Sequence, residues 1–248
     1  MNFIITESSE EMSRKAAELF AQRIRSNPNI VLGLATGGTP EKMYAELVRL
    51  HREEGLDFSR VTTYNLDEYL GIPATHDQSY RYFMNKNLFD HVNIPRENTH
   101  VLNGMAADPV KECRDYEDAI KKAGGIGLQL LGIGSNGHIA FNEPGSKADS
   151  RTGVVTLTGN TVKDNARFFE KAEDVPKQAL SMGNGTIMEA KEIILIADKE
   201  SKAEAILKSV EGPVTEDVPA SLLQKHTNCT FILDSAAAAK LKKESGRF

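Results

Sequence analysis

The stretch Leu128–Glu143, LQLLGIGSNGHIAFNE, is where the reading of this chain starts. Its first part is apolar, with Leu128, Leu130, Leu131 and Ile133, as expected of a strand covered on both faces. It then breaks into Gly132, Gly134 and Gly137 and delivers His138, followed by Asn142-Glu143-Pro144. In open α/β sheets ligands bind beyond the carboxyl ends of the strands. A buried strand that runs into a loop of His, Asn and Glu is therefore the first candidate for a site of proton chemistry.

Working outward, Ile30–Ala35 is a second apolar run and leads into Thr36-Gly37-Gly38-Thr39-Pro40. Thr39 reads as an N-cap and Pro40 as the first residue of a helix that continues to Glu53. Strand, glycine turn and helix N-terminus together can hold a phosphate on free backbone amides. The pattern is neither a Walker A nor a GxGxxG motif, and a plain tight turn has the same signature. Val61–Leu66 is a third strand and ends at Asp67-Glu68-Tyr69, with a helix cap or a solvated acid as the competing reading of Asp67.

Elsewhere, Phe3–Thr6 is a strand, and Ser8 or Ser9 caps a helix whose Met12, Ala16, Leu19, Phe20 and Ile24 follow helical spacing. Ser79–Phe89 reads as a helix with Arg81 on its solvated face, Asn98–Leu102 as a short strand, and Asp108–Lys122 as an amphipathic helix. Ser150–Thr158 contains a strand, and Asn160–Phe169 reads as a helix. The charged stretch that follows, together with its surroundings at about 158–180, reads as a lid. A turn at Gly183-Asn184-Gly185 precedes a helix from Thr186. Strands at Glu192–Ala197 and Thr230–Leu233 alternate with helices at Ser201–Val210, Ala220–Lys225 and Ser235–Lys243. The alternation predicts an α/β fold with a mainly parallel sheet covered by helices on both faces.

The chain has 248 residues, 40% of them hydrophobic, and a formal net charge of -5. With no linker and no internal repeat, a single domain over 1–248 is expected. Acids and bases are interleaved, so the basic stripe of a nucleic-acid binder is missing. Cys113 and Cys229 lie far apart and in no metal-ligand or CxxC spacing. The N-terminus lacks the apolar core of a signal peptide, and no run approaches the roughly 18 apolar residues of a membrane span. A cytoplasmic protein without nucleic-acid or membrane partners is expected.

The strand ends place Gly37-Gly38-Thr39, Asp67-Glu68, Asn136–Glu143 and Asp198–Lys202 on one side of the sheet. Arg167 and Lys202 are candidate cations for a phosphate, although either alone reads as a surface charge. An ordinary aspartate, of pKa about 3.9, is ionised at neutral pH and accepts a proton without tuning. Histidine passes protons in both directions. The set suits an isomerase-like reaction on a sugar phosphate, in which one group removes a carbon-bound proton beside a carbonyl and another opens the ring. Scattered histidines do not suit metal-assisted hydrolysis. The chain also lacks a Gly-x-Ser-x-Gly elbow, and Cys113 has no evident catalytic partner.

Several blocks together resemble the glucosamine-6-phosphate deaminase family: LGLATGGTP (Leu32–Pro40), YNLDEY (Tyr64–Tyr69), SYRYFM (Ser79–Met84), LLGIGSNGHIAFNEPGS (Leu130–Ser146), SRT (Ser150–Thr152), NARFF (Asn165–Phe169) and SKAEAI (Ser201–Ile206). The resemblance implies a Rossmann-like sandwich and the conversion of glucosamine 6-phosphate and water to fructose 6-phosphate and ammonia, with no metal or organic cofactor. It implies that Asp67 moves the proton from C2 to C1, that His138 opens the ring, and that Glu143 pairs with His138. It implies that Gly37, Gly38 and Thr39 hold the phosphate with Arg167 and Lys202. Asn136 stands where many members carry Asp, so here it can only orient its neighbours by hydrogen bonds. Allosterically activated hexameric members carry basic residues shortly after SRT. Gly153 and Val155 stand there in this chain, so no activation by N-acetylglucosamine 6-phosphate and a monomer or small homo-oligomer are expected. The rivals are a 6-phosphogluconolactonase, which needs no base at a carbon acid, and a sugar-phosphate sensor, which would need neither Asp67 nor His138.

Overall fold

A computed structural model describes residues 1–159, 169, 171 and 174–242. The chain opens with β1 (Asn2–Thr6), α1 (Ser9–Ser26), β2 (Val31–Leu34), α2 (Gly38–Glu54) and β3 (Thr62–Asn65). Next come β4 (Asp67–Tyr69), α3 (Tyr80–Asn87), β5 (Thr99–His100), α4 (Pro109–Lys122), β6 (Leu128–Leu131) and β7 (Gly153–Thr156). It closes with β8 (Gln178–Ser181), α5 (Asn184–Met188), β9 (Ile193–Ala197), α6 (Ala203–Val210) and β10 (Cys229–Asp234).

Seven strands form one sheet in the order β1-β10-β9-β6-β2-β3-β5, and every neighbouring pair is parallel. All residues of β2, β6, β9 and β10 are buried, which requires cover on both faces. Each fully buried Leu or Ile contributes roughly 1.5–3 kcal/mol, so these runs carry much of the driving force. On α1 the buried side includes Met12, Ala16, Phe20 and Ile24. Ser8 caps that helix by accepting from the Glu11 amide at 3.2 Å.

The strand order fixes where a ligand can sit. From β2 the chain proceeds outward to β3 and β5; from β6 it proceeds the other way, to β9 and β10. β2 and β6 are adjacent, with Leu32 opposite Leu128. Connections that leave neighbouring strands in opposite directions open a crevice at their carboxyl ends.

The structure corrects several expectations. A second, antiparallel sheet, β4-β8-β7, was not foreseen. Its β4 is too short for a periodic signal, and β8 occupies residues read as a lid end and a turn approach. Thr39 is not a cap, because α2 starts at Gly38 with Gly37 as its N-cap residue. The helix expected from Ser201 begins as a 3-10 turn, Glu200–Lys202, and Pro219–Lys225 is wholly 3-10. Residues 235–240 form successive turns rather than a helix, in keeping with the nucleation cost of so short a run. Arg81 is half-buried, and its guanidinium donates to Thr99 Oγ1 and Thr99 O, each at 2.8 Å.

Candidate functional site

At the end of β2, Gly37 takes φ 107, a backbone region that side-chain-bearing residues seldom enter. Among the described residues, no side chain at its N-cap position caps the helix that follows. The free first-turn amides and the positive end of the helix dipole make this N-terminus an anion cradle. Open space lies where a Cβ would sit on Gly37 or Gly38. The Thr39 hydroxyl turns away from that role and donates to Asp198 Oδ1 at 2.6 Å.

β4 sends its two adjacent carboxylates to different fates. Glu68 is buried and accepts from Ser79 Oγ (2.7 Å) and from the amides of Tyr69 (2.9 Å), Tyr80 (2.9 Å) and Arg81 (3.0 Å). It serves as a long-range cap for α3, so the capping alternative weighed for Asp67 belongs to its neighbour. Asp67 is also buried but accepts no hydrogen bond from any described residue. Burial, and next the charge of Glu68 beside it, push its carboxyl up to about 8. The expectation of an ordinary, fully ionised aspartate is therefore corrected: desolvation favours the neutral form.

The loop after β6 carries a hydrogen-bonded chain. Asn136 Nδ2 donates to Glu143 Oε2 at 2.8 Å, and Asn136 Oδ1 lies 2.7 Å from His138 Nδ1 and 3.2 Å from the His138 amide. A carboxylate only accepts, so Glu143 fixes the amide flip of Asn136. The amide oxygen then faces His138, which places a proton on Nδ1. In the neutral imidazole this leaves Nε2 as the acceptor. Direct contact between His138 Nδ1 and Glu143 Oε2 is longer, 3.8 Å, and Thr158 Oγ1 donates to Glu143 Oε1 at 3.3 Å. The imidazole lies over Gly134, where a Cβ would come 2.1 Å from the ring. A side chain at that position would displace the imidazole.

Backbone bonds stitch these loops together. Leu66 N donates to Leu34 O at 3.0 Å, and Met182 N to Leu66 O at 2.7 Å. Asn142 Nδ2 donates to Met182 O at 2.8 Å and to Ile139 O at 3.0 Å, while the Phe141 amide donates to Ser181 Oγ at 3.1 Å. The antiparallel sheet thus ties the Asp67 strand to the His138 loop, with Asp67 paired opposite Ser181. Tyr69, Phe141, Leu157 and Ala179 form a separate small core beneath this arrangement.

Gly37, Gly38, Thr39, Asp67, Asn136, His138 and Glu143 therefore share the carboxyl side of the sheet, with Lys202 on the loop after β9. Arg167, and most of the segment read as a lid, lie outside the described residues. Reading the sequence missed the buttressing roles of Glu68, Asn142 and Thr158. Their partners lie elsewhere in the chain or in a nonregular loop, so no periodic signal marks them.

The model of the glucosamine-6-phosphate isomerase/6-phosphogluconolactonase family matches residues 6–232. The chain is 56% identical to a glucosamine-6-phosphate deaminase of Shouchella clausii over 239 residues, covering 96% of this chain and 97% of that one. It is 52% identical over 244 residues to the glucosamine-6-phosphate deaminase of Thermoanaerobacter pseudethanolicus, covering 98% and 96%. Among solved structures, a monomeric glucosamine-6-phosphate deaminase superimposes with TM-score 0.95 at 46% identity, covering 96% of this chain and 99% of the other. A 6-phosphogluconolactonase from Trypanosoma cruzi has TM-score 0.78 at 24% identity, covering 97% of each chain, and shares the fold.

Proposed function

The chain belongs to the glucosamine-6-phosphate isomerase/6-phosphogluconolactonase family, and we propose that it works there as a glucosamine-6-phosphate deaminase through the residues that meet at the β2–β6 crevice. It converts glucosamine 6-phosphate and water to fructose 6-phosphate and ammonia. Asp67 removes the C2 proton of the open-chain sugar while the C2 ammonium gives up a proton and the C1 carbonyl oxygen takes one up, giving an enolamine across C1 and C2. The same carboxyl returns the proton at C1. Water adds to the resulting iminium carbon at C2, and ammonia leaves.

The observation that carries this reading is the placement of Asp67, buried and with no hydrogen-bond donor among the described residues, on the same side of the sheet as the Glu143–Asn136–His138 chain and tied to that loop through Ser181. A carboxyl raised to about 8 is basic enough to take a proton from carbon near neutral pH, where general-base efficiency peaks when pKa and pH match. His138, held with Nδ1–H toward Asn136, presents Nε2 to the ring oxygens and shuttles the ring-opening proton. Asn136 and Glu143 orient it. The amides at Gly37, Gly38 and Thr39 bind the phosphate, with Lys202 as a cation; Arg167 is assigned as a second cation on sequence alone. A single domain, a cytoplasmic place in N-acetylglucosamine catabolism and a monomeric or small oligomeric state complete the proposal. The relative described as monomeric supports the last of these.

The test is release of ammonia and fructose 6-phosphate from glucosamine 6-phosphate, with Asp67→Asn beside the parent. Equal release of both products, and a fall of at least about 10²-fold in the variant, are expected. Product release without ammonia would sink the reaction; full activity in the variant would sink the assignment of the base.

A further inference from the structure

At the phosphate end of the crevice sits a carboxylate that the reaction above does not use. Asp198 follows β9 directly and is buried. Its Oδ1 accepts from Thr39 Oγ1, in the first turn of α2, at 2.6 Å. Its Oδ2 accepts from Ser9 Oγ, at the start of α1, at 3.2 Å. Three strand-end segments, after β1, β2 and β9, thus meet on one side chain.

The surroundings are built to keep it there. The next residue, Lys199, has φ 79, a conformation uncommon for a residue with a side chain. Its amide is held by both carboxylate oxygens of Asp234, each at 3.2 Å. The Lys199 ammonium lies 3.8 Å from Asp198 Oδ2. Lys42 reaches Ser9 Oγ at 3.5 Å and pairs with Glu10. An unusual backbone held by a second buried acid marks a loop whose position matters.

We propose that Asp198 is a positioning residue for the phosphate end of the substrate. By holding the hydroxyls of Thr39 and Ser9, it fixes the first turn of α2 against α1 and against the loop that leads to Lys202. The amides of Gly37–Thr39 then converge on the phosphate from a fixed frame. The Thr39 hydroxyl proton is committed to Asp198, so Thr39 contributes its backbone amide to the anion and its side chain to the clamp. The inference rests on the phosphate-cradle reading given above.

The test measures inorganic phosphate affinity by calorimetry, and kcat and KM for glucosamine 6-phosphate. It compares the parent with Asp198→Ala, Thr39→Val, Thr39→Ser and the double variant Asp198→Ala/Thr39→Val. Each of the first two changes is expected to weaken phosphate binding and raise KM about tenfold, with kcat reduced less than about threefold, the pattern of lost binding rather than lost chemistry. The double variant should be no weaker than about the worse single one, because both break the same bond. Thr39→Ser, which keeps the hydroxyl, should bind phosphate at least about fivefold more tightly than Thr39→Val. Independent losses that multiply to about 100-fold in the double variant would overturn the clamp, as would parental phosphate affinity in folded Asp198→Ala. If Asp198→Ala does not fold, the two Thr39 variants decide: equal phosphate affinity overturns it. A parent that binds no phosphate overturns the cradle reading and this inference with it, and is told apart because it fails before any substitution is made.

Discussion

Asp67 and Glu68 are adjacent carboxylates, both buried, and among the described residues only Glu68 is given hydrogen-bond donors. The asymmetry supports the proposal that Asp67 is the reactive one. Burial pushes its folded-state carboxyl up to about 8, against about 4 in an unfolded chain. Between those values the folded protein holds a proton that the unfolded chain has released. Stability is therefore lost as pH rises through this window, by something on the order of a few kcal/mol. Asp67→Asn removes the titration. Urea denaturation should show a smaller drop in midpoint between pH 5 and pH 8 for the variant than for the parent. An equal drop in both proteins would show that Asp67 is not the group responsible. As the proposed base the same carboxyl must be ionised, so kcat/KM should rise with pH toward about 8. The limb for kcat should lie at lower pH, since a substrate ammonium beside Asp67 favours its anion. Coincident limbs would argue that substrate does not approach this carboxyl as a cation.

Two elements depend on short hydrogen-bonded devices. In the loop after β6, Glu143 sets the Asn136 amide and Asn136 sets His138. The device works as a series, so Asn136→Ala and Glu143→Ala should each lower kcat by at least about tenfold, and the double variant should cost little more than the worse single one. Multiplicative losses in steady-state assays would mean that the two act separately. α3 has Ser79 as its N-cap, accepting from the Tyr82 amide, and Glu68 gathers the same turn from β4. Ser79→Ala removes the cap and one Glu68 donor together. A loss of about 1–2 kcal/mol in chemical denaturation is expected; no loss would show that Glu68 alone secures the turn.

For the whole molecule, the small antiparallel sheet bears on both the site and regulation. Gly153 and Val155, the positions expected to be basic in allosterically activated relatives, lie on β7, with Gly153 paired opposite Ser181, the residue that also faces Asp67. Neither offers a charge to an anionic effector. Rate curves with glucosamine 6-phosphate should be hyperbolic with and without N-acetylglucosamine 6-phosphate, and light scattering should give a mass well below that of a hexamer. A sigmoidal curve made hyperbolic by that compound would refute the first expectation.

The parallel core was legible because its signals are local. Apolar runs such as Ile193–Ile196 and the helical spacing of Met12, Ala16, Phe20 and Ile24 declare buried strands and an amphipathic helix, and glycines after β2 and β6 mark where the backbone must turn. Asp67, His138 and Glu143 stood out because polar groups directly after buried strands fall at the carboxyl edge. What the sequence by itself determined was thus the alternating fold, the family and the identity of the residues at the crevice. Only the tertiary structure decided that Glu68 rather than Asp67 caps α3, that Asp67 is desolvated, and that Thr39 faces Asp198. Each of these depends on partners 11 to 159 positions away or on water excluded by the surrounding fold, and neither leaves a local pattern in the chain.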